Sequence, residues 1–248
     1  MTQLISTYTV RQQLIQHLSK GQFCSGEQLA AELGLSRTAV WKHITSLRKA
    51  GLAIDAVRGK GYRLTADIEL LDRERISAAI DVKSRALLGD VLLFPALDST
   101  NNYLLQHAEL SVRQVVIAEQ QTAGRGRQGR PWLAPLGNIT LSLSWRFQRS
   151  AAAMSGLTLA LAVAVIQAIE SGREPNLGAQ PTLGVKWPND IVVGEKKLAG
   201  ILVEMRGESY GPVDIVMGVG VNLDLPVAWH EQIDQPATDV NTAYGKPR

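Results

Sequence analysis

A nine-residue stretch of alternating apolar and polar side chains limits the possible folds of this chain more than any other feature. The apolar positions are Ile139, Leu141, Leu143, Trp145 and Phe147. Successive side chains of a β-strand point to opposite faces, so this period of two predicts a strand in a sheet whose two faces differ. Polar residues interrupt the apolar stretch 151–169, which we therefore predict to be a buried helix on that sheet rather than a membrane span.

Further apolar runs predict more strands than helices after residue 66. Strands are expected at residues 91–94, 114–119, 185–187, 191–193, 196–205 and 213–224, and helices at 73–80 and 100–107. Gly194-Glu195 suits a two-residue hairpin turn. We predict an α+β fold in which residues 67–248 form a mixed or largely antiparallel sheet with helices on one face. The polar stretch 225–248 is expected to be poorly ordered.

Residues 1–66 have the pattern of a winged helix-turn-helix. Helices are expected near residues 8–18, 26–33 and 37–50, and Val40, Ile44 and Leu47 form the buried stripe of the third. Gly34 lies in the tight turn between the last two helices, as in helix-turn-helix motifs. Two apolar runs, 52–57 and 62–64, flank a basic glycine-containing tip and predict a two-stranded wing.

The charge of the chain is concentrated in this N-terminal segment. Residues 1–66 hold nine Lys or Arg and three acidic residues, a net charge of +6, whereas the whole chain carries +3. A basic winged helix indicates DNA binding. The candidate DNA-contacting residues on the third helix and the wing are Arg37, Thr38, Trp41, Lys42, Arg58 and Lys60. The alternative is a three-helix protein-interaction domain with a solvated basic face.

The cysteine content and the N-terminus indicate a cytoplasmic protein. Cys24 is the one cysteine, which excludes an internal disulfide framework and suits a reducing compartment. The first residues lack a basic stretch followed by an apolar run, so we expect neither a signal peptide nor a membrane partner. Charged residues make up 20% of the chain and apolar residues 45%, which argues against wholesale disorder.

The densest chemical signal is the loop at residues 120–132, in which three glycines alternate with three arginines. Glycines let backbone amides approach an anion, and arginines fork onto phosphate or carboxylate groups. The spacing is neither that of a P-loop nor that of a dinucleotide-binding loop. From composition alone, an RNA-binding loop or a flexible solvated loop remains possible.

Three further segments are candidates for a site, each with a structural alternative. Lys186 lies in an apolar strand, where an ammonium group is costly unless it meets an anion. Ser99 suits a ligand site but also caps a helix. The small residues of 218–222 make room either for a ligand or for close packing.

Five motifs then occur in one order along the chain. They are Asp-Ser-Thr-Asn, Gln-x-x-Gly-Arg-Gly-Arg-x-Gly-Arg-x-Trp, Lys-Trp-Pro-Asn-Asp, Lys-Leu-Ala-Gly-Ile-Leu-Val-Glu and Gly-x-Gly-x-Asn. Together they resemble the biotin–protein ligase family, and the N-terminal segment resembles that of its bifunctional repressor class. The similarity covers about residues 23–222.

The resemblance implies roles for individual residues. Ser99, Thr100, Asn101 and Gln121 line the pocket for the biotin ureido group. The loop from Gly124 through Gly126 to Arg130 folds over the ligand, with Trp132 after it. Lys186, Arg125 and Arg127 are the implied catalytic cations, facing the reacting carboxylate and phosphate. Gly200, Gly218 and Gly220 shape the slot for the ring and tail of biotin, and Asn222 lies at its mouth. No protein-bound metal is implied.

The implied chemistry joins biotin to ATP, with Mg²⁺, to form biotinyl-5′-AMP, and then transfers biotin to a lysine of a carboxylase acceptor domain. Ligand binding would promote a homodimer that reads operator DNA. Members of the bifunctional class continue past the last motif, so we expect an incomplete catalytic domain without the small C-terminal β-barrel. The rivals are a non-catalytic biotin-sensing DNA regulator, a lipoate-type ligase and an RNA-binding protein.

Overall fold

The chain divides into two units, which we call the head and the body. The computed structural model describes residues 2–65, 68, 70–107, 113–172, 181–207, 211–226, 229 and 231–245. The head comprises Met1–Leu71 and Pro135–Gly137, and the body comprises Asp72–Ala134 and Asn138–Arg248. The division after Leu71 lies five residues past the boundary expected from sequence.

Three helices lie in the described residues of the head, and local capping explains where two of them begin. They are α1 (Thr2–Leu18), α2 (Gly26–Leu33) and α3 (Arg37–Lys49). The Ser25 and Ser36 hydroxyls accept hydrogen bonds from backbone amides in the first turns of α2 and α3, respectively. Val40, Ile44 and Leu47 are buried on one side of α3, as predicted. The helix α1 begins several residues earlier than expected.

The predicted wing is present, and one glycine makes its packing possible. Strands β1 (Ile54–Val57) and β2 (Gly61–Leu64) pair in antiparallel fashion. Tyr62 also bridges to Cys24, with backbone hydrogen bonds of 2.8 and 2.9 Å in the two directions. Gly61 has a φ of +103°, and a Cβ there would overlap the Cys24 carbonyl oxygen. The wing is therefore attached to the segment before α2 by contacts that only glycine permits.

The core of the head includes a residue from far along the chain. Leu136 is 4% exposed and packs in the same cluster as Leu14, Leu18 and Leu47. Its amide donates to the Ala50 carbonyl oxygen at 3.1 Å. Nothing in the local sequence predicted this placement.

The part of the body that the structure describes forms a seven-stranded sheet in the order β3-β4-β5-β9-β8-β7-β6. The strands are β3 (Val91–Phe94), β4 (Val115–Ala118), β5 (Ile139–Phe147), β6 (Leu183–Lys186), β7 (Asp190–Val193), β8 (Lys196–Gly207) and β9 (Val213–Val221). The β3–β4 pair is parallel, and the other pairs of described strands are antiparallel. The predicted α+β class with a mixed, largely antiparallel sheet is confirmed, as is the two-residue turn between β7 and β8.

The helices of the body lie on both faces of the sheet, so the expectation of one covered face is wrong. The helices are α4 (Arg73–Ala79), α5 (Val82–Leu87), α6 (Thr100–His107), α7 (Leu157–Ser171) and α8 (Val240–Ala243). The Ser142 hydroxyl on β5 lies 2.7 Å from Thr100 Oγ1 on α6. The next residue, Leu143, packs instead with Met154 and Leu157. Because neighbouring side chains in a strand point in opposite directions, α6 and α7 cover opposite faces.

The long apolar helix packs through one side only. Ala162 of α7 is fully buried, and Val165 and Ile166 pack with it on Ile191 and Leu198 of the sheet. Next to this packed face, Leu159 is 40% and Val163 50% exposed. By length and composition alone, Ala151–Ser171 would also pass as a membrane span. The prediction of a buried helix therefore holds for one face of α7.

The polar C-terminal stretch is structured where it is described, contrary to expectation. The Lys197 amide donates to the Pro236 carbonyl oxygen at 2.9 Å, and the Thr238 amide donates to the Lys197 carbonyl oxygen at 2.9 Å. The side-chain amide of Asn222 donates to the Thr238 carbonyl oxygen. Local polarity did not reveal these pairings with the start of β8.

Candidate functional site

A cavity of about 440 Å³ in the body brings most of the predicted site residues together. This volume lies within the range of roughly 300–1,000 Å³ typical of small-molecule sites. The predicted residues that line it are Ser99, Thr100, Asn101, Gln121, Arg125, Gly126, Arg127, Trp132, Lys186, Gly200, Gly218 and Gly220. Two predicted residues that the structure describes, Gly124 and Asn222, lie outside this lining.

The first turn of α6 is fixed by buried polar contacts at one side of the cavity. The amide and the hydroxyl of Thr100 donate to Gln121 Oε1 at 2.8 and 3.1 Å. The Ser142 hydroxyl donates to Asn101 Oδ1 at 2.5 Å. Ser99, Thr100 and Asn101 are each only 3% exposed. Buried polar groups need such partners, and these contacts give the polar side of the cavity a defined shape.

Asn102 links this turn to the arginine–glycine loop, by which we mean residues 124–130. Its side-chain amide donates to Asp98 Oδ2 at 3.0 Å, and this hydrogen bond lowers the pKa of Asp98 from its ordinary value. Its oxygen accepts from Arg125 Nε and Nη2 at 2.9 and 2.7 Å. A neutral side chain thus connects a carboxylate with a guanidinium.

Arg125 is also paired with an acidic residue on β8. Arg125 Nη2 lies 2.9 Å from Glu204 Oε1 and donates to Glu204 Oε2 at 3.0 Å. Glu204 Oε2 also accepts from Asn101 Nδ2 at 2.7 Å. The guanidinium therefore binds protein groups in this structure, and its implied role toward a phosphate or carboxylate stays a prediction.

The arginine–glycine loop folds back on itself. The Gly126 amide donates to the Arg130 carbonyl oxygen at 2.7 Å, and the Trp132 amide donates to the Gly124 carbonyl oxygen at 2.8 Å. Arg127 Nη1 lies 3.5 Å from Asn189 Oδ1, at the limit of a hydrogen bond. The side chain of Arg127 is thus held more loosely than that of Arg125.

Trp132 lies across the glycines of the two central strands. A Cβ on Gly220 would overlap its indole ring, and a Cβ on Gly200 would lie 3.1 Å from it. A Cβ on Gly218 would overlap the Asn101 side chain. In the structure these glycines make room for the protein's own side chains, which was the close-packing alternative. Gly200, Gly218 and Gly220 nonetheless also line the cavity.

Lys186 lies at the exposed end of its strand rather than in the buried part. It is the last residue of β6, which lies at one edge of the sheet, and its side chain is exposed. The sequence argument that an apolar strand makes this lysine costly is therefore wrong, because an edge strand leaves the ammonium group in water. Lys186 still lines the cavity. Lys197, a cation that the sequence analysis did not select, also lines it and pairs with Asp190 at 2.9 Å.

Comparison with known proteins identifies the family. A sequence profile of the biotin/lipoate A/B protein ligase family matches residues 93–222. The chain is 42% identical over 229 residues to the bifunctional ligase/repressor BirA of Salmonella typhimurium, covering 92% of this chain and 68% of that protein. The chain belongs to the biotin/lipoate A/B protein ligase family.

Further members of this family show similar matches. BirA of Escherichia coli is 43% identical over 88% of this chain and 64% of its own length, and BirA of Bacillus subtilis is 36% identical over 96% and 73%. The biotin protein ligase from Aquifex aeolicus, solved in complex with biotin and ATP, is 28% identical with a TM-score of 0.51, covering 65% of this chain and 63% of that one. The chain thus spans about two thirds of the length of these family members.

The head carries a second candidate interface for this family member. A profile of an HTH domain matches residues 10–63. A cleft beside α3 and the wing is lined by Arg37, Thr38, Trp41 and Arg58, among others. Lys42 and Lys60 are exposed, and Lys60 Nζ lies 5.9 Å from the centre of the Phe23 ring. The predicted DNA-contacting residues therefore lie on α3 and the wing tip, and their contacts with DNA stay a prediction.

Sequence reasoning missed several polar residues around the cavity of this ligase-family chain. Glu204, Asn102 and Ser142 were not selected, although they hold Arg125, Asn101 and Thr100 in place. The sequence did hold one sign that could have pointed to Glu204. Its carboxylate directly follows the apolar run 198–203 on β8. No group of three or more metal-ligating side chains was found among the residues that the structure describes.

Proposed function

We propose that this chain is an ATP-dependent biotin–protein ligase and a biotin-responsive transcriptional repressor. The observation that carries the proposal is the cavity, in which residues of four ordered motifs and Gly218 and Gly220 of the fifth form one lining. Membership of the family and the matched relatives named ligase/repressor support both activities.

The proposed reaction has two steps. An oxygen of the biotin carboxylate attacks the α-phosphorus of ATP, a new phosphorus–oxygen bond forms, and the bond to pyrophosphate breaks. The amine of an acceptor lysine then attacks the acyl carbon and AMP leaves. Neither step needs a nucleophile from this chain, so catalysis consists of positioning and charge stabilisation.

Residues of this chain have distinct parts in that scheme. Ser99, Thr100 and Gln121 present polar groups at one side of the cavity for the biotin ureido ring. Lys186 lines the same cavity with an exposed side chain, and Arg127 is held only loosely by Asn189. These two cations are the groups we assign to the developing phosphate charge. Mg²⁺ would enter as part of the MgATP substrate.

The partners follow from the two units. The acceptor is a biotin domain of a carboxylase, as the name of a relative, the biotin–[acetyl-CoA-carboxylase] ligase of Paracoccus denitrificans, indicates for that protein. The head would bind operator DNA through α3 and the wing, as a dimer formed when the ligand is bound. Analytical ultracentrifugation with and without biotin and ATP tests this step, and an unchanged mass would reject it. The single cysteine favours a cytoplasmic location.

Calorimetry of biotin binding, with and without ATP and Mg²⁺, tests the ligase proposal together with pyrophosphate release. A ligase binds biotin and releases pyrophosphate in a biotin-dependent manner. Binding without pyrophosphate would reveal a non-catalytic sensor, and a preference for lipoate would reveal a lipoate-type ligase. Indifference to biotin, combined with salt-sensitive RNA binding, would reject the proposal altogether.

A further inference from the structure

Glu204 joins the polar side of the cavity to the arginine–glycine loop. Its Oε2 atom accepts from Asn101 Nδ2 at 2.7 Å and from Arg125 Nη2 at 3.0 Å, and its Oε1 atom lies 2.9 Å from the same Arg125 nitrogen. Asn101 belongs to the first turn of α6, whereas Arg125 belongs to the loop. One carboxylate on strand β8 therefore holds two separate walls of the cavity.

The hydrogen bonds also determine how Asn101 is oriented. Its oxygen accepts from the Ser142 hydroxyl, and its nitrogen donates to Glu204 and to the Leu202 carbonyl oxygen at 3.3 Å. Asn101 is 3% exposed, so a misplaced amide would leave buried polar atoms without partners. The carboxylate of Glu204 accepts only, which suits both of the donors that face it.

Arg125 is held along the edge of its guanidinium that Nε and Nη2 form. Nε and Nη2 donate to Asn102, and Nη2 also contacts Glu204. The side chains of Arg125 and Glu204 are 33% and 24% exposed, so solvent only partly screens their attraction. The Arg125 backbone bridges to Pro131, so the position of this side chain depends on the fold of the loop.

We propose that Glu204 is a positioning residue for biotin binding, which latches the arginine–glycine loop through Arg125 and orients Asn101. This inference rests on the proposed function, since biotin is the ligand that the latched cavity receives. Glu204 is not among the residues that line the cavity, so it acts through Asn101 and Arg125 on substrate affinity and on the position of the loop. Its loss weakens biotin binding and leaves the chemical step largely intact.

Glu204→Gln is the informative variant, because glutamine has one acceptor oxygen where glutamate has two. The oxygen can remain on Asn101, but the new amide group then faces Arg125, donor against donor. We expect the KM for biotin to rise by about tenfold, as for loss of a charge-assisted hydrogen bond, while kcat changes less than about threefold. Trypsin cleaves after arginine. Without ligand, it should therefore cut the loop at Arg125 and Arg127 faster in Glu204→Gln than in the unmodified chain.

Two comparisons separate positioning from a general structural defect. Asp214→Asn removes a similar strand-borne carboxylate, paired with Arg146 at 3.1 Å and outside the cavity lining, and should leave both readouts unchanged. Arg125→Lys keeps the charge but cannot fork onto Asn102 and Glu204 together. If Glu204 and Arg125 form one latch, combining Glu204→Gln with Arg125→Lys should weaken biotin binding no further than the more damaging of the two single substitutions does.

The outcomes distinguish failure of the latch from failure of the proposed function. An unchanged KM and cleavage rate in Glu204→Gln, a fall in kcat alone, or additive effects in the double variant would overturn the latch. Absence of biotin-dependent pyrophosphate release by the unmodified chain would overturn the ligase proposal instead. The cleavage assay needs no substrate, so it tests the contact between Glu204 and Arg125 in either case.

Discussion

The indole of Trp132 occupies the space that a side chain at Gly220 would fill. A single Cβ at position 220 would overlap two carbons and the nitrogen of the indole. Both residues line the cavity, so the position of the tryptophan and the glycine of β9 determine the shape of the slot together. Enlarging one of them should move the other.

Gly220→Ala is expected to weaken biotin binding by about tenfold or more, because the displaced indole must leave a packed position. Isothermal titration calorimetry with biotin measures the effect. Gly184→Ala is the matched control, since a Cβ on that glycine of β6 would make an ordinary 3.7 Å contact with Val192. Equal affinities for the two variants would show that the indole moves without cost.

Lys186→Ala is expected to slow formation of biotinyl-5′-AMP by about 10²-fold or more, because a cation beside a developing charge is removed. Biotin binding without ATP should change little. The measurement is single-turnover pyrophosphate release at saturating substrates. Lys196→Ala, which removes an exposed lysine outside the cavity lining, should behave as the unmodified protein does. Near-normal turnover in Lys186→Ala would remove this lysine from the mechanism.

Arg58→Ala is expected to reduce the salt dependence of DNA binding. If the wing tip contacts one phosphate through Arg58, the slope of log K against log salt concentration should fall by about one unit. Fluorescence anisotropy with a labelled duplex across a salt series measures the slope. Lys20→Ala removes an exposed charge of the head outside the cleft lining and serves as the control. The same slope in both variants would place the wing tip away from the duplex.

The head is expected to lose stability as the pH falls below 6.5, the ordinary value for histidine. Burial, and secondarily the charge of Arg11, lowers the pKa of His43 on α3. On acidification, the unfolded chain therefore takes up the His43 proton at a higher pH than the folded chain does. The stability that neutral His43 contributes is full above pH 6.5 and is lost as the pH falls.

Thermal unfolding of the whole chain across this pH range, monitored by NMR signals of the head, tests that expectation. His43→Gln should flatten the dependence, because glutamine does not titrate. His17→Gln is the comparison variant, because it removes another histidine of the head, one that lies 2.9 Å from the Glu32 carboxylate. A pH profile that His43→Gln leaves unchanged would contradict the assignment.

The parts of the fold that local physics determines could be predicted from sequence. The alternation at Ile139–Phe147 became β5, and the turn at Gly34 and the buried stripe of α3 placed the helix-turn-helix. The six-residue helix α5 was missed, because its main local signal is the Asp81 cap, whose carboxylate accepts from Lys83 and Ser84. Such a short helix has too few positions to show a period.

The candidate site was predictable in its motifs but not in its contacts. Ser99, Lys186 and Trp132 line one cavity, as the motifs implied. The order of strands decides which strand lies at an edge, so the exposure of Lys186 could not be read from its apolar neighbours. Glu204 meets Arg125 and Asn101 only because β8 passes beside the loop and α6, and no local pattern carries that information.

Because Leu136 belongs to the head, no single cut in the chain separates the two units. The polypeptide passes from the body into the core of the head and back again within a few residues after Trp132. A gene fragment that ends near residue 71 would encode a head with a cavity where Leu136 packs. The complementary fragment would carry Leu136 without the core residues that bury it. Neither piece should be expected to behave in isolation as it does in the intact polypeptide.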